Sequence, residues 1–274
     1  MFKRTITGAV YVAILTAIFL LRELVDTRLF HILTCFLIIA GTVEVANALK
    51  DYLKKGIRLL SIVLSAVLVP LYCAIEYLLL PNFGFVFALL LILIAILFVL
   101  FYLICTKTPF KSTLTSLLPF LYPSLLLTFM LLSNDHKSGF IILLLSFVVS
   151  PLSDTFAYLV GSLIGGKKLC PKLSPKKTWS GAIGGTVGGA LGAVLVYLIF
   201  KPTINFFSPI LFFILVGIIA SVVNIFGDLF ESYIKRRVGI KDMGKILPGH
   251  GGVMDRIDGT SFVVVFIYLA FLIV

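Results

Sequence analysis

From Phe83 to Cys105 the chain runs without a single charged residue. A helix needs about 20 such residues to cross the hydrocarbon core of a bilayer. Inside that core the backbone N–H and C=O groups must be satisfied within the segment, which a helix does unaided. Eight other windows read the same way, and together the nine cover roughly residues 5–21, 29–49, 59–80, 84–105, 114–132, 139–164, 178–200, 209–230 and 253–274. Connections as short as Pro81-Asn82 predict antiparallel helical hairpins. The last window is the least regular, because Asp255, Arg256 and Asp258 fall in its first turns.

Composition agrees. Apolar residues make up 60% of the 274 and charged ones 13%, where an ordinary globular chain is about a quarter charged. No single soluble core hides that much apolar surface. Disorder, a collagen-like repeat and a disulfide-rich secreted scaffold are excluded on the same grounds. The four cysteines show no CxxC pairing, and three sit in or at the end of apolar runs, so buried, inert thiols are expected. Lys3-Arg4 followed by an apolar run resembles a signal peptide, but no small-residue cleavage site follows. An uncleaved first helix is expected.

The charge that remains is lopsided: 23 Lys and Arg against 12 Asp and Glu, a formal +11. Basic residues favour the cytoplasmic side of a membrane. With the N-terminus inside, 19 of the 23 fall on cytoplasmic segments, and only Arg22, Arg28, Lys137 and Lys201 fall outside. A missed span would scramble that alternation. The expected fold is therefore an all-α integral membrane protein of about nine transmembrane helices, N-terminus cytoplasmic and C-terminus outside.

Polar chemistry is sparse in the first five spans. Glu44 and Asn47 lie near the inner end of span two and Glu76 near the outer end of span three, where snorkelling or helix capping competes with a functional role. Residues 1–138 read as scaffold. The second half differs. Span six is interrupted by Ser150-Pro151, and Asp154 follows at a depth of about 15 Å from the inner helix end, taking ~1.5 Å per residue. An ionisable group there costs at least ~2.5 kcal/mol unless it is paired or watered. It either lines a cavity or bonds a neighbouring Ser or Tyr in a kinked helix. Span seven carries Gly181, Gly185 and Gly189, with Gly184, Gly188 and Gly192 as a parallel row, a pattern for close helix packing.

Before span seven stands Ser174-Pro175-Lys176-Lys177-Thr178-Trp179, which reads as an N-cap Ser with Pro at the first helical position. Lysines in a first turn oppose the helix dipole. Either topology alone puts them there, or an anion belongs at this helix start. Along span eight Asn224, Asp228, Glu231 or Ser232, and Lys235 recur three or four residues apart, one stripe on one face. The loop that follows holds Lys241, Asp242, Gly244 and Gly249-His250-Gly251-Gly252, then Asp255-Arg256-Ile257-Asp258. Asp255 and Asp258 share a helix face and are comfortable at a helix N-terminus. Three glycines in four residues suggest backbone approaching a ligand. Carboxylates alone would suit cation transport; carboxylates with many lysines and a glycine loop suit a metal-bound polyphosphate, and hence phosphoryl or nucleotidyl transfer.

The stretch Ser232-x-Ile234-Lys235-Arg236-x₄-Lys241-Asp242-x-Gly244-x₂-Leu247-Pro248-x-His250-Gly251-Gly252-Val253-x-Asp255-Arg256-Ile257-Asp258 resembles the signature of the phosphatidate cytidylyltransferases. So do Asp154-x₂-Ala157-Tyr158-x₂-Gly161 and Ser174-Pro175-Lys176-Lys177-Thr178-Trp179-x-Gly181. The chain departs from the pattern at Ser180, where Glu or Gln is usual, and at Ser162, where a basic residue is common. The resemblance implies that CTP and phosphatidate give CDP-diacylglycerol and pyrophosphate. It implies Mg²⁺, as one ion or two, and a homodimer in the inner (plasma) membrane with its active site facing the cytoplasm. Residues 139–274 would then be the catalytic region, with cytoplasmic loops 165–178 and 233–252. Asp228 and Asp255 are expected on the metal, supported by Asp258 and Asp154. Lys235 and Arg256 are expected to act with them in catalysis. Lys176, Lys177, Arg236 and Lys241 would neutralise phosphates, with Ser174, Thr178, Ser232 and Asp242 as further substrate contacts. His250, Gly251 and Gly252 would shape the nucleotide loop. Phosphatidate would enter sideways from the inner leaflet. The basic excess thus has membrane orientation and anionic substrates to serve, with no nucleic acid partner. Two other readings stay open: a CTP-dependent polyprenol or lipid kinase, which transfers the γ-phosphoryl group, and a cation-coupled transporter.

Overall fold

The computed structural model describes residues 2–79, 84–105, 110–247 and 251–274. Pro81, Asn82 and His250 lie outside the described residues. Nearly everything described is helical: α1 (Phe2–Leu24), α2 (Leu29–Ala48), α3 (Lys55–Ala74), α4 (Gly84–Cys105), α5 (Phe110–Phe120), α6 (Leu126–Asp135), α7 (Gly139–Ile164), α8 (Trp179–Phe200), α9 (Pro209–Arg237) and α10 (Met254–Phe271). A π-helical turn extends α3 over Ile75–Leu79, and another joins α5 to α6 over Leu121–Leu125. Six stretches among the described residues are long and apolar enough to cross a membrane: Leu29–Ala48, Lys55–Leu78, Thr115–Asp135, Gly139–Ile164, Trp179–Phe200 and Pro209–Arg237. The chain is a multi-pass, nearly all-α membrane protein.

The departure from helix is small and falls at a site motif. β1 (Lys168–Cys170) pairs antiparallel with β2 (Ser174–Thr178), Lys168 opposite Thr178 and Cys170 opposite Ser174. Ser174 is therefore not a helix cap, and Pro175 is not a first helical residue. The cap is Thr178, whose Oγ1 accepts the Gly181 N–H at 3.1 Å. The Trp179 N–H donates back to Lys167 O at 3.0 Å, which closes the hairpin. Strand pairing outcompetes the Ser-Pro helix signal here, and it keeps Lys176 and Lys177 out of the first turn of α8.

Contacts divide the chain into two compact units, one of residues 1–132 with 240–255, the other of residues 133–239 with 256–274. In the first, α2 is the central helix, with Phe30, Leu37, Ile38 and Val45 buried. Pro119 and Pro123 remove ladder donors around the second π-turn. That turn sets Ser124 Oγ 3.1 Å from Thr42 Oγ1 on α2. Gly41 leaves room for Met254, whose Sδ would stand 2.7 Å from a Cβ built there.

In the second unit α7, α8 and α9 pack through glycine. A Cβ on Gly181 would stand 2.7 Å from Ala157 O, and one on Gly185 2.9 Å from Ser153 O. The other row, Gly184, Gly188 and Gly192, seats Val160, Phe156 and Leu152 of α7. Between lipid-embedded helices, where apolar burial drives little, such close backbone approach supplies the packing. The opposite face of α8, with Ile183, Val187, Leu191 and Leu195, is exposed, as a lipid-facing surface should be.

The cysteines differ from expectation. None is disulfide-bonded, but none is buried in protein either: Cys35, Cys73 and Cys170 are half-buried and Cys105 is exposed. An apolar span does not distinguish its lipid face from its protein face, and Cys105 stands on the exposed face of α4.

Candidate active site

The stripe expected on span eight forms on α9. Asn224, Asp228, Glu231, Ser232 and Lys235 lie along one helix, with Asn224, Glu231 and Ser232 buried. Within the second unit this stripe collects side chains from three other elements. From α7, Asp154 accepts a hydrogen bond at Oδ1 from Asn224 Nδ2, at 2.8 Å. Ser150 Oγ donates to Asn224 Oδ1. From β2, Lys177 Nζ pairs with Asp228 Oδ2 at 2.6 Å. Ser232 Oγ donates to Asp228 Oδ1 at 3.3 Å, and Lys235 pairs with Glu231 one turn back at 3.3 Å. From α10, Asp258 meets Glu231 and lies within the electrostatic reach of Asp228 and Lys235. Asp154 in turn feels Asp258, Asp228 and Lys177.

Close backbone packing makes this convergence possible. A Cβ on Gly227 would stand 2.8 Å from Asp258 O, and Gly259 rests against the Asn224 side chain. With any larger residue at these two positions, α9 and α10 would separate and Asp258 would leave the cluster.

Four carboxylates, Asp154, Asp228, Glu231 and Asp258, thus face two ammonium groups, Lys177 and Lys235. The cluster is rich in carboxylates, in a place where charge is costly unless it is compensated. Glu231 and Asp258 are in contact within it. Among the described residues no three His, Cys, Asp or Glu side chains are already gathered closely enough to hold a metal. Mg²⁺ does not need such a cage, because it binds through one or two carboxylates plus phosphate oxygens. Carboxylate oxygens gathered in this way fit a divalent cation of this kind.

The glycine loop belongs to the first unit and is organised by carboxylates of its own. Asp255 Oδ2 accepts the Gly252 N–H at 2.7 Å and the Met243 N–H at 2.8 Å. Glu44, buried on α2, accepts the Val253 N–H at Oε1 and the Met254 N–H at Oε2, both at 2.9 Å. Gly251 adopts φ +88°, a left-handed conformation that favours glycine, and the Leu247 N–H donates to Gly251 O at 2.9 Å. Amides of the kind that cradle phosphate are here already bonded to the chain's own oxygens.

Of the expected site residues, Asp154, Lys177, Asp228, Ser232, Lys235 and Asp258 come together in the second unit. Thr178 serves as a helix cap. Ser174 is half-buried in β2, and Lys176 is exposed beside it. Arg236 is exposed and reaches Leu173 O from Nε at 3.4 Å. Lys241, Asp242 and Arg256 are exposed, and Asp255, Gly251 and Gly252 form the loop just described. Asn224 and Glu231 stand in the sequence stripe without assigned roles; their signal is the spacing to Asp228. Glu44 has only one signal, a carboxylate inside an apolar span.

Fold and site define a polytopic helical membrane protein with a charged, all-oxygen cluster set into its spans. The chain belongs to the cytidylyltransferase family, whose model matches residues 2–274. Among curated relatives, a phosphatidate cytidylyltransferase of Helicobacter pylori is 42% identical over 148 residues, 54% of this chain and 53% of that protein. One of Brucella abortus is 42% identical over 143 residues, 52% and 51% of the two chains. One of Staphylococcus epidermidis is 35% identical over 135 residues, 49% and 50%. The chain spans about half the length of the curated relatives it matches.

Proposed function

We propose that the protein is a cytidylyltransferase acting on phosphatidate at the membrane. A phosphate oxygen of phosphatidate attacks the α-phosphorus of CTP, and the bond from that phosphorus to the β-phosphate oxygen breaks. The products are CDP-diacylglycerol and pyrophosphate. The observation that carries this reading is the Lys177–Asp228 pair. It joins the Ser174-to-Trp179 motif to the α9 stripe and puts an ammonium beside a carboxylate in the membrane-spanning part of the fold.

The reacting partners are both polyanions, so the main work is charge neutralisation and alignment. Lys177 and Lys235, each now paired with a carboxylate, have flexible stems that let the ammonium turn to a phosphate oxygen when substrate arrives. Lys176, Arg236 and Arg256, all exposed, meet the outer phosphates. Asn224 keeps Asp154 oriented. No general base is needed, because a phosphate monoester is already ionised near neutral pH. Asp228, Asp154 and Asp258 would hold Mg²⁺, which supplies a Lewis acid for the phosphoryl oxygens. Asp154 is exposed at the α7 surface although it lies within a span, which suits a headgroup entering sideways from the lipid. Nine spans with the N-terminus cytoplasmic, a cytoplasmic-facing site in the inner membrane and a homodimer complete the proposal.

The test supplies purified protein with Mg²⁺, phosphatidate and CTP labelled at either the α- or the γ-phosphorus. Label from the α-position in lipid, with release of pyrophosphate, is expected. Label from the γ-position would make the protein a lipid kinase, and no transfer from either position would overturn the proposal.

A further inference from the structure

Glu44 stands in the half of the chain that reads as scaffold, yet its carboxylate lies inside the glycine loop's fold. It is 3% exposed. Its two oxygens take the backbone N–H groups of Val253 and Met254, the residues at which α10 begins. Gly252 lies so close that a Cβ there would stand 2.5 Å from Oε2, and Gly244 presses on the same carboxylate from the other arm of the loop. Asp255 closes the base by accepting the Met243 and Gly252 amides. The described arms of the loop are therefore moulded around one carboxylate and tied by a second. Its glycines are needed where Glu44 leaves no room for a side chain.

We propose that Glu44 is a positioning residue that sets the backbone of residues 252–254 against Gly244 and, through it, the enzyme's affinity for nucleotide. This rests on the cytidylyltransferase reading above. Mere burial does not explain the geometry. A buried carboxylate kept for stability alone could bond any donor, whereas both of these donors lie on a loop some 200 residues away in sequence. Glutamine in its place keeps one acceptor but turns an amide N–H₂ toward the second backbone N–H, so one bond is lost and a donor faces a donor.

Full-length protein in detergent–lipid micelles provides the test. Glu44→Gln is expected to raise KM for CTP about tenfold while kcat changes less than about twofold. Hydrogen exchange at the amides of residues 252–254 should accelerate in step. Gly252→Ala should be harmful in wild-type background and much less so beside Glu44→Ala, because the clash it introduces is with the missing carboxylate. Unchanged KM, with only the folded fraction or kcat reduced, would overturn the positioning role. So would unaltered exchange at 252–254, or additive effects of Gly252→Ala and Glu44→Ala on melting temperature. If wild-type protein makes no CDP-diacylglycerol, the functional reading fails, while the exchange and melting measurements still decide whether Glu44 holds the loop.

Discussion

The two units hold their carboxylates by different means. In the first, Glu44 and Asp255 each accept two backbone N–H groups. In the second, Asp228 is held by a lysine and a serine, Asp154 by an asparagine and Glu231 by a lysine. A backbone donor cannot leave without unfolding the turn that carries it. A lysine ammonium can swing several ångströms at the expense of side-chain entropy alone. Backbone-held carboxylates shape the chain, and side-chain-held ones remain available to exchange partners with a substrate or a cation.

The sharpest way to break that distinction is Asp228→Asn. It removes the charge that Lys177 and the proposed cation share, and formation of CDP-diacylglycerol should fall by ~10³-fold with the protein still inserted and folded. Lys177→Gln should lose nearly as much, and the double variant little more, since the two act as a unit. Turnover within tenfold of wild type in Asp228→Asn would remove the second cluster from the chemistry.

Packing offers the next largest effect. Gly185→Leu drives a side chain into Ser153 O and Ala157 on α7. It should cost ~3 kcal/mol or more of stability, seen as a lower melting temperature in detergent, and should disturb Asp154 with it. An unchanged melting temperature would mean that the α7–α8 crossing tolerates separation.

Asp255 tests the backbone-held class directly. Asparagine retains an oxygen for the Met243 and Gly252 amides, whereas alanine retains none. Turnover should therefore fall about tenfold in Asp255→Asn and further in Asp255→Ala, each lost bond costing ~1–3 kcal/mol. A ~10³-fold loss in the asparagine variant would move Asp255 to the exchangeable class and onto the metal, as its motif suggests.

The smallest effect lies outside both clusters, at His136 between α6 and α7. Burial, then the neighbouring Lys137 charge, pushes its imidazole below the usual histidine range. Its Nδ1 accepts the Ser138 N–H at 3.1 Å, and its ring meets the Tyr268 edge. A depressed pKa means that the unfolded state binds the proton more readily. The stability it contributes is full above ~6.5 and is lost as pH falls through the folded-state value. A small drop in melting temperature on acidification is expected. His136→Asn should remove it, keeping an acceptor for Ser138 without a titrating ring. A drop of equal size in that variant would assign the effect elsewhere.

Much of the fold and part of the site are legible in the sequence. Apolar windows match most helix boundaries because the bilayer imposes a length on each span. The α9 stripe is legible because helical spacing alone puts Asn224, Asp228 and Lys235 on one face. Ser174-Pro175 misleads, because its helix-start signal is local whereas the partner that overrides it, Lys168–Cys170, is supplied by strand pairing. Cys105 misleads because hydropathy cannot tell lipid from protein interior. Glu44 is legible as an anomaly but not as a loop anchor, since nothing near it in sequence indicates its partners.

The sequence by itself determined that this chain enters a membrane as helices, which residues are polar against that background, and the family to which its signature belongs. Those properties follow from composition and from periodicity along a single element. Only the tertiary structure decided which carboxylate meets lysine and which meets backbone, because that depends on glycines letting separate elements approach within contact distance. Asp228 and Asp255 look alike in the motif. One faces the Lys177 ammonium and the other closes a loop, and the difference lies in what the fold places beside each.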